Sequence, residues 1–297
     1  MKKNKIIIAV IAAVIIIATY IIYANSHKIK NKNDDEQFKI LTSFNPIYIM
    51  TLNITENVDN VQVSNMAENF SGCIHDYTLT TSDLKKFEKT QVFIENGNGL
   101  ESFSEKIIQA YPHVHIIDSA SEITDTISDN DEVNAHVWLS IENNIKQVNK
   151  IADELVKLNP NNKEIYANNA EKYTQKLYEL QNKFNQINAN GTKAICLNES
   201  LEYLLREVGI ESTLIETDHD QSAISAEMMS KIISKMKDEN IKTIFIDKND
   251  DTKKAETLVK ETGATIYRLD SGMTGNENKQ SYIDTMNYNY DILTSIK

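Results

Sequence analysis

The chain is poor in proline, glycine, cysteine and tryptophan, with three, eight, two and one of each in 297 residues. So little glycine and proline excludes a collagen-like repeat and a Pro/Gly-rich low-complexity chain. Neither cysteine, Cys73 nor Cys196, lies near the N-terminal apolar run, which argues against anchoring through an acylated cysteine. Basic charge is also short: 31 Lys and Arg stand against 43 Asp and Glu, a net charge of −12. Six of the lysines fall within the first 33 residues, which hold no acid, so the remaining body is more acidic still. An acidic body repels phosphate backbones and excludes nucleic acid as a natural partner. It suits attraction of cations, although solubility is the plainer use of an acidic surface. There is no H-E-x-x-H pattern to put two zinc ligands and a general base on one helix, and no short-period repeat.

One long apolar run is present. It extends from Ile6 to Tyr23, broken only by Thr19, and follows Lys2, Lys3 and Lys5. About 18 residues at 1.5 Å each give roughly 27 Å, enough to cross a bilayer core. The lysines predict a cytoplasmic N-terminus and an exported body. Ala24-Asn25-Ser26 is a weak cleavage site, so residues 1–23 are expected to be an uncleaved anchor rather than a removed signal. Residues 24–36 are polar and read as a tether.

Beyond the tether, strand-like runs alternate with helical patterns. Strands are expected at 39–44, 61–63, 91–97 and 113–118, with helices opening after Pro46 and near Thr80 or Thr81, where a hydroxyl can cap and Asp83 complements the dipole. Residues 141–188 break the rhythm with two helical stretches split at Asn159-Pro160. The second carries Ile165, Tyr173, Leu177, Leu180 and Phe184 at helical spacing and reads as a stiff strut. Alternation then resumes: strands at 193–197, 212–215, 242–247 and 264–270, with helices at 199–209, 225–237, 252–263 and 281–293. The fold class is therefore α/β, two βα lobes with mostly parallel sheets joined by one long helix. The expected divisions are 37–158 for the N-terminal lobe, 159–189 for the linking helix and 190–297 for the C-terminal lobe.

Two histidines sit where strands give way to helices. His75 lies in S-G-C-I-H-D-Y-T-L-T-T-S-D-L (71–84) and His136 in N-A-H-V-W-L-S (134–140). Neutral imidazole is the commonest protein ligand for transition metals, and two such histidines on loop ends point to a metal site. Asp76 is a candidate to orient His75 through a hydrogen bond. His113 and His115 lie on one expected strand and are read as structural. His219, between Asp218 and Asp220, offers either an accessory cation site or a solvated acidic loop, the latter preferred. His27 falls in the tether.

These segments, with E-N-G-N-G-L-E (95–101), N-E-S-L-E-Y-L-L-R-E-V-G (198–209) and S-Y-I-D-T-M-N-Y-N (281–289), occur in an order that resembles the zinc- and manganese-binding proteins of metal-ion ABC importers, the group with a rigid linking helix. The resemblance covers roughly residues 38–295. It implies an interlobe cleft that takes a divalent cation from four ligands and no covalent chemistry. His75 and His136 match the first two ligands. The third falls on Asn198, where such proteins usually carry His or Glu, and Asp270 in R-L-D-S-G matches the fourth. At the third position an Asn198 amide oxygen, the adjacent Glu199 or a water remain open. Cys73 and Cys196 each precede a matched ligand by two residues. They are read first as separate buried cysteines, then as a disulfide, then as thiolate ligands.

The resemblance implies an extracytoplasmic receptor, membrane-attached and monomeric, that hands its cation to an ABC permease. Two imidazoles favour Zn²⁺ as the transported ligand, with Mn²⁺ second. A zinc hydrolase and a surface adhesion or sensor protein that keeps the fold are the competing readings.

Overall fold

The computed structural model describes residues 37–68, 70, 72, 74–129, 132–215, 225–275 and 278–296. The expected anchor and tether (1–36), Cys73, and the loop carrying Asp218, His219 and Asp220 lie outside the described residues. Among the described residues, no helix is long and apolar enough to cross a membrane.

Strands β1 (Phe38–Thr42), β2 (Val61–Asn65), β3 (Val92–Glu95) and β4 (His115–Asp118) form a parallel sheet in the order β2-β1-β3-β4. Helices α1 (Asn45–Ile54), α2 (Thr81–Phe87) and α3 (Ser104–Ala110) lie in the connections. The start of α2 is fixed as its sequence predicts: Thr80 and Asp83 form a reciprocal capping box. The turn after β3 depends on Gly97. Its φ is +89°, and a Cβ there would meet the Asp118 carboxylate at 1.8 Å. A short antiparallel pair, β5 (Ser128–Asp129) and β6 (Glu132–Val133), follows.

Helix α4 (Ile141–Leu158) buries Ile141, Ile145, Val148, Ile151, Ala152 and Leu155, an i, i+4, i+7 stripe whose first turn is capped by Ser140. Asn159 ends it, and Pro160–Asn162 form a 3₁₀ turn before α5 (Lys163–Phe184). Tyr166, not Ile165, begins the inward face of that helix. Its buried stripe is Tyr166, Ala170, Tyr173, Leu177, Leu180 and Phe184, whereas Ile165, expected on the stripe, is exposed. At 1.5 Å per residue α5 spans roughly 33 Å. It is packed along its length rather than isolated, against α4 and α1 and, beyond them, the closing helix.

The second sheet repeats the first. Strands β7 (Lys193–Cys196), β8 (Glu211–Leu214), β9 (Thr243–Asp247) and β10 (Thr265–Leu269) are parallel in the order β10-β9-β7-β8. Counted from each lobe's own first strand, both sheets read second, first, third, fourth. Helices α6 (Glu202–Glu207), α7 (Ala226–Asp238), α8 (Lys253–Thr262) and α9 (Ser281–Thr294) complete this lobe, and Gly263 ends α8 in the left-handed conformation. All five residues of β9 are buried, as expected for a parallel strand covered on both faces.

The lobes share one apolar core. Phe44, Ile47 and Trp138 from the first half cluster with Leu269, Tyr282 and Met286 from the second. Polar ties cross the same junction: Trp138 Nε1 donates to Ser271 O (2.9 Å), Tyr282 Oη to Trp138 O (2.9 Å) and Asn45 Nδ2 to Gly272 O (2.9 Å). Both sheets reverse strand order between their first and third strands. In open α/β sheets the crevice beyond the strands' carboxyl ends, at that reversal, is where ligands sit.

Candidate metal centre

Three side chains converge from loops on the two lobes. His75 lies on a 3₁₀ turn (Ile74–Asp76) between β2 and α2, and His136 immediately precedes the 3₁₀ turn Val137–Leu139 that leads into α4. Glu199 opens the 3₁₀ turn Glu199–Leu201 that follows β7. One ligand atom from each, two imidazole nitrogens and a carboxylate oxygen, lie within 4.8 Å of one another. The two imidazole rings are 5.8 Å apart between centroids. His136 is 1% exposed, while His75 and Glu199 are half-buried.

His136 is held in the tautomer a metal needs. Its Nδ1 lies 2.9 Å from Asn134 Oδ1, and its backbone N–H donates to the same oxygen at 3.0 Å. The Asn134 amide is oriented by its other end, where Nδ2 donates to Glu199 O and to Glu202 Oε2, both at 3.0 Å. An amide oxygen can only accept, so Nδ1 carries the proton and Nε2 presents the lone pair. That nitrogen lies 3.9 Å from Glu199 Oε1. Asn134 therefore fixes a histidine of the N-terminal lobe while gripping the turn that carries the carboxylate of the other. The sequence reading missed it; its one signal is its place two residues before His136. Trp138, buried and 5.2 Å from the His136 ring, packs the other side.

Asn198 is used differently from expectation. Its Oδ1 accepts from Ser200 N (3.1 Å) and Ser200 Oγ (2.6 Å), and its Nδ2 donates to Asp250 Oδ2 (3.0 Å). The amide thus caps the 3₁₀ turn. The physical reason is local: the turn's first N–H groups need an acceptor, and Asn198 is in cap position while Glu199, one residue on, projects toward the histidines. Asp270, 4% exposed, is also outside the three-residue cluster. Its Oδ1 accepts from Gly272 N (2.9 Å), and its Oδ2 meets Lys248 Nζ (2.5 Å) and Thr285 Oγ1 (3.3 Å).

Cys196 is a free, buried thiol that donates to Asn198 O at 3.1 Å. Burial pushes it up to about 12, so it stays protonated at neutral pH. It therefore fits the reading of a buried core cysteine; Cys73, its partner in the disulfide reading, lies outside the described residues. Asp76 is exposed to solvent. His113 and His115, two residues apart in extended chain, are both exposed around a buried Val114, and β4 begins at His115.

A family model described as zinc-uptake complex component A periplasmic (ZnuA) matches residues 40–296. The high-affinity zinc uptake system protein ZnuA of Bacillus subtilis (strain 168) is 25% identical over 282 residues, 87% of this chain and 87% of that protein. The manganese ABC transporter substrate-binding lipoprotein PsaA of Streptococcus pneumoniae serotype 4 is 24% identical over 297 residues, 94% of this chain and 95% of that protein. Among solved structures, the SBP FpvC of Pseudomonas aeruginosa in complex with Ni²⁺ superposes with a TM-score of 0.77 at 28% identity, covering 87% of this chain and 96% of that one. The same protein in complex with Mn²⁺ matches with a TM-score of 0.77 at 28% identity, over 87% and 97% of the two chains.

Proposed function

Since the chain belongs to the zinc-uptake complex component A periplasmic family, whose members are binding proteins of transporters rather than enzymes, we propose that it captures a divalent cation between its lobes outside the cytoplasm and hands it to an ABC permease. The observation that carries this reading is the convergence of His75, His136 and Glu199 from both lobes, with ligand atoms within 4.8 Å of one another. Two neutral imidazoles and one carboxylate suit Zn²⁺, so Zn²⁺ is the favoured cargo and Mn²⁺ the second. The relatives' own names cover both metals.

Glu199, rather than Asn198, supplies the third protein ligand in this reading, because the Asn198 amide is engaged as a cap. The protein acts as a monomer. Its attachment to the membrane is through the apolar segment Ile6 to Tyr23, since its two cysteines, 73 and 196, both lie within the binding body.

Direct titration of the metal-free protein with Zn²⁺ and Mn²⁺ tests this, with His75→Ala and Glu199→Ala as controls. Binding tighter than micromolar in the unaltered protein, lost in both variants, is the expected result. Unaltered protein that binds neither ion below micromolar concentrations would sink the reading.

A further inference from the structure

Asp270 immediately follows β10 and sits beside the histidines, since the carbonyl of Ser271, the next residue, accepts from Trp138 Nε1, and the Trp138 ring lies 5.2 Å from that of His136. Strands β9 and β10 pair in parallel with Asp247 opposite Leu269. The next residue on each strand is therefore Lys248 on one and Asp270 on the other, side by side where the strands end. One main-chain and one side-chain bond lock the register there: Lys248 N donates to Leu269 O (2.6 Å), and the Arg268 guanidinium Nη1 donates to Lys248 O (2.8 Å). Asn289 brackets Asp270 from behind, accepting from its N–H at 2.7 Å and donating to its C=O at 2.9 Å. The Lys248 ammonium then closes on Asp270 Oδ2 at 2.5 Å. The carboxylate side chain is 5% exposed, and the lysine side chain 38% exposed.

Resting on the metal-capture reading above, we propose that Lys248 sets cation selectivity by holding Asp270 in an ion pair, so that the cation is bound by His75, His136 and Glu199 alone. Both carboxylate oxygens of Asp270 are engaged, Oδ1 by Gly272 N and Oδ2 by Lys248 and Thr285. An incoming cation can recruit this acid only by displacing an ammonium fixed to the neighbouring strand, with which it shares its sign. Three protein ligands and a water satisfy four-coordinate Zn²⁺. Mn²⁺ favours more oxygen ligands and loses more when a carboxylate is withheld. Lys248 therefore biases the site toward Zn²⁺ over Mn²⁺.

The test compares Zn²⁺ and Mn²⁺ dissociation constants for the full chain, Lys248→Met, Asp270→Asn and the double variant. Lys248→Gln, which keeps a neutral donor beside Asp270, guards against misfolding of the methionine variant. Release of Asp270 is expected to tighten Mn²⁺ binding at least tenfold and Zn²⁺ binding by clearly less. Asp270→Asn alone is expected to change either constant less than threefold, and in the double variant to cancel the Mn²⁺ gain. An unchanged Zn²⁺-to-Mn²⁺ ratio in both lysine variants overturns the inference. So does an Asp270→Asn loss as large as that of Glu199→Ala, which would make Asp270 a ligand already. If the unaltered protein binds neither ion, the capture reading fails by itself. The selectivity inference is then judged on the lysine variants, where a new Mn²⁺ affinity supports it and none overturns it.

Discussion

The two lobes share a strand order yet end their sheets in opposite states of readiness. On the N-terminal side His136 is buried, oriented and held in one tautomer by Asn134. On the C-terminal side the strand ends of β9 and β10 carry an acid already neutralised by Lys248. Between them Glu199 belongs to the second lobe but is gripped by Asn134 through its main chain. The difference teaches that topology supplies the crevice and not the ligands. Repeating the sheet order put loop ends around one space, and single residues at those ends decided which of them present a lone pair to it.

The comparison breaks outright if the imidazole side is not where a cation binds. His136→Ala removes a buried, preorganised ligand and is expected to weaken Zn²⁺ binding roughly a thousandfold, equivalent to about 4 kcal/mol. Calorimetric or competition titration checks this, and a loss under tenfold would leave the histidine as mere packing against Trp138.

A second test concerns how the lobes are held together. Glu207, at the end of α6, accepts from Ile141 N at 2.8 Å and so sits at the N-terminus of α4. Burial pushes its carboxyl up to about 7, offset by hydrogen bonds including that from Ile141 N, with Glu142 raising it further. A carboxyl whose folded value lies above its unfolded one stabilises the fold fully below the unfolded value near 4.3. That stability is lost as pH rises through 7, on the order of 3 kcal/mol in all. Glu95 and Glu101, raised to about 7 and about 8 by burial, act in the same direction. The urea midpoint is expected to fall between pH 5.5 and 8.5, and Glu207→Gln to flatten the fall. An unchanged slope in that variant would show that the junction tolerates the charge.

The tautomer lock of the N-terminal lobe is subtler. Asn134→Ala leaves all three proposed ligands but frees His136 to rotate and to protonate at either nitrogen. Removing such a partner of a metal ligand typically costs 10–100-fold in affinity, and about 30-fold is expected here. Asn134→Asp, which keeps an acceptor for Nδ1, should recover much of the loss if the lock is the cause. Equal loss in both variants would assign the residue to the Glu199 turn instead.

Much of the architecture was legible because it rests on local patterns. The stripe of α4, the Thr80 and Asp83 box and the Gly263 stop are each written within a few residues. The alternation of runs gave two βα lobes, and the motif order gave His75 and His136. What was not legible depends on geometry set elsewhere. Ile165 missed the buried stripe because it lies about 100° around α5 from Tyr166, which takes the inward position in line with Ala170 and Tyr173. The Lys248–Asp270 pair needs the register of β9 against β10, which no spacing of 22 residues announces. Asn134 differs from the chain's many other asparagines only by where its amide ends up.

The proposed choice of Glu199 over Asn198 turns on one residue of phase, and it yields the smallest effect. After β7 the chain enters a 3₁₀ turn rather than an α-helix, so the residue that caps and the residue that projects are adjacent. If Asn198 is the cap, Asn198→Ala loses the acceptor for Ser200 N and the donor to Asp250. Loss of such a cap costs about 1 kcal/mol of stability, read as a lowered midpoint in urea. Zn²⁺ affinity should change less than threefold, because the carboxylate one residue on still reaches His136. Asn198→Asp should restore the cap and the midpoint in part, but it places a second acid beside Asp250 and so is not fully neutral. A tenfold or greater loss of Zn²⁺ affinity in Asn198→Ala, with the midpoint unchanged, would reverse the assignment and make the amide oxygen the third ligand after all.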